Sequence, residues 1–286
     1  MDQLVTTEWL AARLSPPEGQ PVVVVLDASA HLPSAGRDAR AEFASGHIPG
    51  ARFFDLASLV DQTSRVPAAL PRAEQFEARL RECGVNPGDH VVLYDDSMLR
   101  SSARAWFIAR MFGLAPVSVL DGGMEKWRTE GRPLKTGPAA VAAGNATLAR
   151  DDRSLVRTKS NMLAICESHA EQVVDARDAG RFTGETEDAI HGLPGGHIPG
   201  ARHLFFRSLL AEDGTFLPAD QLRERFAAAG IDLDRPLVAS CGSGMTASVV
   251  LFAAALAGKH DAALYDGSWS EWGADPATPK ETGAAR

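Results

Sequence analysis

Cys241 is the residue of this sequence with the strongest claim to chemistry. It stands in VASCGSGMTASVV, Val238–Val250, where an apolar run meets two glycines, a serine and a threonine before a second apolar run begins. The first run has the pattern of a buried strand. The second has that of an apolar helix. A cysteine between them lies at the C-terminal edge of a parallel sheet, where ligand sites of such sheets gather. Gly242, Ser243 and Gly244 let successive backbone N–H groups turn toward one point and form an anion nest, and the following helix aims its positive end at the same place. A sulfur held there is favoured as thiolate, the form that attacks. Other loop chemistries fail on the letters. A phosphatase-like loop needs arginine where Ala247 stands, a nucleophile elbow centred on Ser243 needs glycine at 241, and a phosphate-binding loop needs a lysine that is absent. The plainer reading, a buried structural cysteine, does not explain the glycines around it.

The elements that must position this loop occur twice. GHIPGAR at Gly46–Arg52 returns unchanged at Gly196–Arg202. Three further blocks repeat in the same order: VVLDA with VVDAR, HVVLYD with PLVASC, and LDGGMEKW with YDGSWSEW. Such ordered self-similarity means a duplicated domain. The alignment predicts residues 1–135 as a first domain, 136–150 as an Ala/Gly/Pro-rich connector and 151–286 as a second domain. Within the halves, β-branched runs at Val22–Leu26, His90–Tyr94 and Val117–Leu120, then Gln172–Asp175, Leu237–Ser240 and Ala263–Leu264, read as strands. Helical patterns cover Ala73–Arg81, Ser102–Phe112, Ala219–Ala229 and Thr246–Ala257. Continuous apolar strands alternating with helices predict an α/β fold, a mainly parallel sheet flanked by helices in each half.

The whole chain sets outer limits. Its 286 residues suit two domains, and 45% hydrophobic with 23% charged residues is ordinary for a globular protein. A net charge of −8 argues against nucleic acid or an anionic membrane as partner. No apolar run is long enough to span a bilayer, and the first residues lack a secretory signal. Three well-separated cysteines make a poor disulfide framework and a poor zinc site, which fits a reducing compartment, the cytoplasm by default.

These motifs resemble the tandem rhodanese-domain sulfurtransferases, most closely those acting on 3-mercaptopyruvate. The resemblance covers essentially the whole chain and rests on the paired HIPGA blocks, VDAR, the YDGSWSEW ending and CGSGMTA, in which Met245 replaces the usual valine. It implies a first domain that is catalytically silent, with Asp95 where the second carries Cys241. It also implies a covalent cycle without metal or organic cofactor: Cys241 takes sulfur from a small donor as a persulfide and hands it to a thiol, thioredoxin or cyanide. The matching substrate-binding positions are Arg181, whose planar fork suits a carboxylate, with Gly242, Gly244, Met245 and Thr246 of the loop. Ser243, His47 and Asp38 match a proposed proton-relaying set. Against that stand a role for Ser243 in permitting the tight loop, for Asp38 in capping the helix before His47, and for His47 in the fold, since His197 duplicates it. A second arginine usual in this group is replaced by Ile190, with His191 adjacent as a partial substitute. Arg177 is expected to tie the fold together, Asp175 and Asp266 to anchor loops, Trp269 and Trp272 to pack in the core, and Cys83 and Cys166 to be structural. Two other readings stay open: a thiosulfate:cyanide sulfurtransferase, disfavoured by the uncharged CGSGM loop, and a non-catalytic rhodanese module, disfavoured by the retained Cys241.

Overall fold

A computed structural model describes residues 3–14, 23–138 and 141–285. Two compact units emerge from the packing. Unit 1 holds the chain up to Val60, Leu70–Asp152 and Glu212–Phe216; unit 2 holds Asp61–Ala69, Arg153–Ala211 and the chain from Leu217. Val22 of the expected first strand, and the end residues of the expected domains and parts of their connector, lie outside the described residues.

Unit 1 runs β1 (Leu4–Val5), α1 (Thr7–Ala11), β2 (Val23–Asp27), α2 (Ala39–Ser45), β3 (Arg52–Phe53), α3 (Ala73–Glu82), β4 (His90–Tyr94), α4 (Ser102–Met111), β5 (Val117–Leu120) and α5 (Gly123–Thr129). Unit 2 repeats the plan with β6 (Val156–Arg157), α6 (Lys159–Ser168), β7 (Gln172–Asp175), α7 (Ala179–Thr183), β8 (Arg202–His203), α8 (Ala219–Ala228), β9 (Leu237–Ser240), α9 (Met245–Leu256), β10 (Ala263–Tyr265) and α10 (Ser268–Trp272). The sheets have the orders β1-β5-β4-β2-β3 and β6-β10-β9-β7-β8, and each adjacent pair is parallel. This is the α/β duplication that the sequence predicts.

The central strands form where the sequence is continuously apolar. All of β4 and β9 is buried, as a parallel sheet covered on both faces requires. On one face of unit 1, Val25, Val92, Tyr94 and Trp127 pack into one core; in unit 2, Val173, Val238, Tyr265, Trp269 and Trp272 do the same. Helices α4 and α9 are buried almost all round, matching their apolar composition. The four outer strands β1, β3, β6 and β8 are two residues each, too short to carry a readable period. The described part of the expected connector has neither helix nor strand. It straps onto α3 and the turn after it, with Gly144 N–H donating to the Arg81 carbonyl at 2.8 Å and Ala146 N–H to that of Val85 at 2.9 Å.

No helix among the described residues is long and apolar enough to cross a membrane.

Candidate active site

Strand β7 pairs with β9 so that Asp175 opposes Ser240, and the next residue, Cys241, leaves the sheet at its C-terminal edge. The loop is short because Gly244 turns it at φ 80°, in the left-handed region that glycine adopts without strain, and α9 starts at Met245. That turn brings the Gly244 N–H onto Cys241 Sγ at 3.1 Å. An N–H aimed at sulfur at a helix N-terminus favours negative charge on it. Cys241 is 1% exposed.

The loop is clamped from α10. Cys241 N–H donates to Ser268 Oγ at 3.2 Å, and that hydroxyl donates to the Tyr265 carbonyl at 2.9 Å. Trp269 N–H and Ser270 N–H donate to the carbonyls of Cys241 and Gly242 at 2.9 and 2.8 Å. Three of these bonds hold a segment that has no regular structure of its own, and the fourth anchors Ser268. Ser243 is half-buried, and its hydroxyl makes no hydrogen bond among the described residues. Met245 is half-buried and Thr246 buried, both in the first turn of α9.

A charged cluster lies on the same unit. Arg177 Nη2 meets Asp175 Oδ2 at 2.6 Å and donates to the Gly196 carbonyl at 2.6 Å, and its guanidinium stacks over Trp269 at 4.6 Å. Arg177 therefore joins the VDAR block to the second GHIPGAR block, the fold-tying role expected of it. Burial opposes its charge, but Asp175, Asp188 and the charge of Cys241 raise its pKa above the ordinary arginine value. Arg181 donates through Nε to Asp178 at 2.6 Å and through Nη1 to Asp188 at 3.5 Å, while Nη2 has no partner among the described residues. One edge of its fork is thus held and the other stays available to an anion.

Asp188 is the hub. It is fully buried and receives Arg177 Nη1 at 3.5 Å, Arg181 Nη1 at 3.5 Å and His191 Nδ1 at 2.9 Å. Burial alone would raise its pKa, but the His191 hydrogen bond and the charges of His191, Arg181 and Arg177 hold it below the usual carboxylate range. Its loop closes on itself: Asp188 N–H donates to the Leu193 carbonyl at 2.8 Å, and His191 N–H to the Asp188 carbonyl at 3.0 Å. Ile190, at the position of the missing arginine, is 43% exposed. Its neighbour His191 lies against the nucleophile loop instead, with its ring over Gly242 so closely that any Cβ there would collide with it.

The remaining expected residues belong to unit 1. Asp38 is exposed and caps α2, accepting from Arg40 N–H at 3.0 Å and Ala41 N–H at 3.1 Å. His47 is buried, donates Nδ1–H to the Phe43 carbonyl at 2.8 Å and stacks on Phe43 at 4.0 Å. His197 repeats this on Phe182, at 2.9 and 3.9 Å. No hydrogen bond joins Asp38 to His47 among the described residues. The twins differ at Nε2: that of His197 faces Glu281 at 3.7 Å, while that of His47 has no partner among the described residues. Asp95 is bound to its own backbone, its two oxygens accepting Ser97 N–H and Ser102 N–H at 2.9 Å each.

Among the described residues no cluster of three or more His, Cys, Asp or Glu is arranged to hold a metal ion. The sequence reading passed over two residues that build the site, Asp188 and Ser268. The only trace of Asp188 was its spacing, three before His191. Ser268 left none, because its role lies in a hydroxyl that two backbone groups share.

The family described as Rhodanese-like domain matches residues 6–130 and 158–275. The mouse 3-mercaptopyruvate sulfurtransferase is 41% identical over 271 residues, covering 94% of this chain and 91% of the relative. The thiosulfate sulfurtransferase of Cricetulus griseus is 41% identical over 274 residues, with the same coverages. Among solved structures, the 3-mercaptopyruvate sulfotransferase SseA of Escherichia coli superposes with a TM-score of 0.83 at 37% identity, over 94% of this chain and 99% of that one.

Proposed function

The chain belongs to the rhodanese-like family, and from that premise we propose that it moves sulfane sulfur from 3-mercaptopyruvate, through a persulfide on Cys241, to a thiol or cyanide. The observation that carries this reading is the Gly244 N–H on Cys241 Sγ at 3.1 Å, at the mouth of a buried helix and a sheet edge. The Cys241 thiolate attacks the donor sulfur. An S–S bond forms, the C–S bond breaks, and its electron pair leaves as the enolate of pyruvate. The donor's thiol proton ends on the new methyl carbon, so one proton moves and no oxidant is needed. Cyanide or a thiol then takes the outer sulfur, and the S–S pair returns to Cys241. The N–H groups of the loop support negative charge in both resting forms.

The donor follows from charge. Gly242, Ser243, Gly244 and Met245 offer no cation, a weak match for a dianion such as thiosulfate. The free Nη2 of Arg181 suits a single carboxylate, through charge-assisted hydrogen bonds worth roughly 1.5–3 kcal/mol each. Met245 and Thr246 shape the loop's far side. Ser243 contributes a hydroxyl beside the sulfur. His47 and Asp38 belong to unit 1, and a share for them in proton transfer is proposed on the family resemblance and on the free Nε2 of His47. The first domain is proposed to be silent because Asp95 replaces the nucleophile. Three free cysteines suit a reducing compartment, the cytoplasm.

The test is turnover with each donor and cyanide, read as thiocyanate. Mercaptopyruvate should exceed thiosulfate in kcat/KM by at least about tenfold, a preference of ~1.4 kcal/mol. Equal turnover would replace this reading with that of a thiosulfate sulfurtransferase.

A further inference from the structure

His191 and Asp188 lie in the polar loop ETEDAIHGLPGG, and three observations give them a joint role in the same unit as Cys241. Asp188 is ionised and completely buried, and His191 Nδ1 reaches its Oδ1 at 2.9 Å. An ionised carboxylate can only accept, so Nδ1 carries the hydrogen, and in the neutral tautomer that this fixes the lone pair is on Nε2. That Nε2 has no partner among the described residues, and the side chain is 16% exposed. The Nδ1–Cε1–Nε2 edge of the ring lies over Gly242, the residue after the nucleophile. A Cβ there would meet both nitrogens at 3.0 Å, besides colliding with Cε1. The ring is held in that pose by a loop closed through Asp188 at both its N–H and its carbonyl.

We propose that His191 is a catalytic proton carrier for the mercaptopyruvate half-reaction, with Asp188 as its positioning residue. This rests on the donor reading above. As Cys241 attacks, His191 Nε2 takes the proton of the donor's S–H and becomes imidazolium. Asp188 stabilises that cation, as the carboxylate of a serine-protease triad does for its histidine. The C–S bond breaks toward the enolate, and the imidazolium returns the same proton to it, giving pyruvate and neutral His191. Cys241 ends as the persulfide anion, so atoms and charge balance. Arg177 and Arg181 share Asp188 and oppose a third cation, while Asp175 and Asp178 offset them in turn. Cyanide as acceptor, and thiosulfate as donor, bring no proton to move.

That difference supplies the test. His191→Gln keeps a donor for Asp188 but has no basic nitrogen. With cyanide as common acceptor, the ratio of kcat for mercaptopyruvate to kcat for thiosulfate should fall at least about 30-fold relative to wild type, within the range typical of general acid–base catalysis. In His191→Ala, added imidazole should restore part of the mercaptopyruvate rate and leave the thiosulfate rate where it is. A ratio that stays at the wild-type value, or an imidazole effect on both donors alike, would show that the ring only braces the loop and overturn the proposal. Wild-type protein inert toward mercaptopyruvate would remove the donor reading itself, and the proton step with it. Wild-type turnover with an unchanged ratio in His191→Gln overturns the proton carrier alone.

Discussion

Asp95 and Cys241 stand at the same point of two copies of one sheet. Tyr94 pairs with Asp27 as Ser240 pairs with Asp175, and each strand then delivers its next residue to the sheet edge. What differs is the loop beyond. Gly242–Gly244 bridges Cys241 to α9, whereas Asp96–Ser101 bridges Asp95 to α4. In unit 1 the two side-chain oxygens of Asp95 accept the N–H groups of Ser97 and Ser102 at the position where unit 2 holds sulfur, and burial raises the pKa of that carboxyl.

Asp95→Cys is therefore not expected to create a second site. The N–H groups of Ser97 and Ser102 are placed to meet two separate carboxylate oxygens rather than one sulfur, and a thiol reaches less far than a carboxylate. Intact mass after donor treatment should still show one added sulfur per chain, on Cys241. Two buried N–H groups lose their acceptor, so Tm should fall, by an amount equivalent to roughly 1–3 kcal/mol. Two added sulfurs would mean that the nest does not select the nucleophile.

Cys241→Ser should abolish turnover, while Cys83→Ser and Cys166→Ser keep most of it. Burial pushes the Cys83 thiol up to about 11, against the nearby Arg79 and Arg52, and burial raises that of Cys166 as well. Neither presents much thiolate at neutral pH. Peptide mapping of the persulfide on either one would refute the assignment.

The legible part of this protein was the part written in local pattern. β4, β9 and β7 are short runs of four or five residues with a continuous apolar centre, and their bounds match the sequence reading. Helices α3, α4 and α8 differ from it by a residue at one end and α9 by a residue at each end, where caps and frayed turns decide. Strands of two residues exist only because a neighbour offers a ladder, and no local signal announces them. The same division runs through the site. Gly242 and Gly244 advertise the loop at Cys241, and the capping role of Asp38 could be read from its position before an alanine-rich turn. The convergence of Arg177, Arg181 and His191 on Asp188 could not. It joins the loop before α7, the helix itself and the loop after it, and a buried carboxylate in a polar stretch looks like any solvated one until the fold closes over it.

Asp121 and Asp213, both in unit 1, should pull its stability in opposite directions with pH. Asp121 Oδ1 accepts Phe216 N–H at 2.8 Å, and burial, with Asp213 nearby, raises its pKa from 3.8 to about 6. A raised carboxyl favours the folded state below its unfolded pKa, and that contribution is lost as pH rises from about 4 through about 6. Asp213 is lowered from 3.8 to about 2 by the Thr215 hydroxyl and by Lys126, which it meets at 3.0 Å. Its contribution is present above about 4 and lost as pH falls toward 2. Asp121→Asn, which keeps the acceptor for Phe216, should raise Tm at pH 7 and flatten the melt series between pH 4 and 6. A Tm unchanged at pH 7 would count against the raised pKa.

His47 and His197 allow fold and chemistry to be separated, because the two residues do the same structural work. Each donates Nδ1–H to a carbonyl and stacks at 6° on a phenylalanine. Asparagine can keep that N–H donor while losing both the stack and Nε2. His47→Asn and His197→Asn should therefore lower stability by similar amounts, about 1–3 kcal/mol for a buried aromatic contact of this kind. Their activities should diverge. The Nε2 of His197 is already directed at Glu281, so its loss removes nothing from turnover beyond the unfolded fraction. The Nε2 of His47 is unengaged among the described residues, and its loss should lower kcat for mercaptopyruvate per folded molecule at least about tenfold. Urea melts fix the folded fraction, and thiocyanate formation reads the rate on the same samples. If the two variants lose activity only in step with their stability, His47 serves the fold as His197 does.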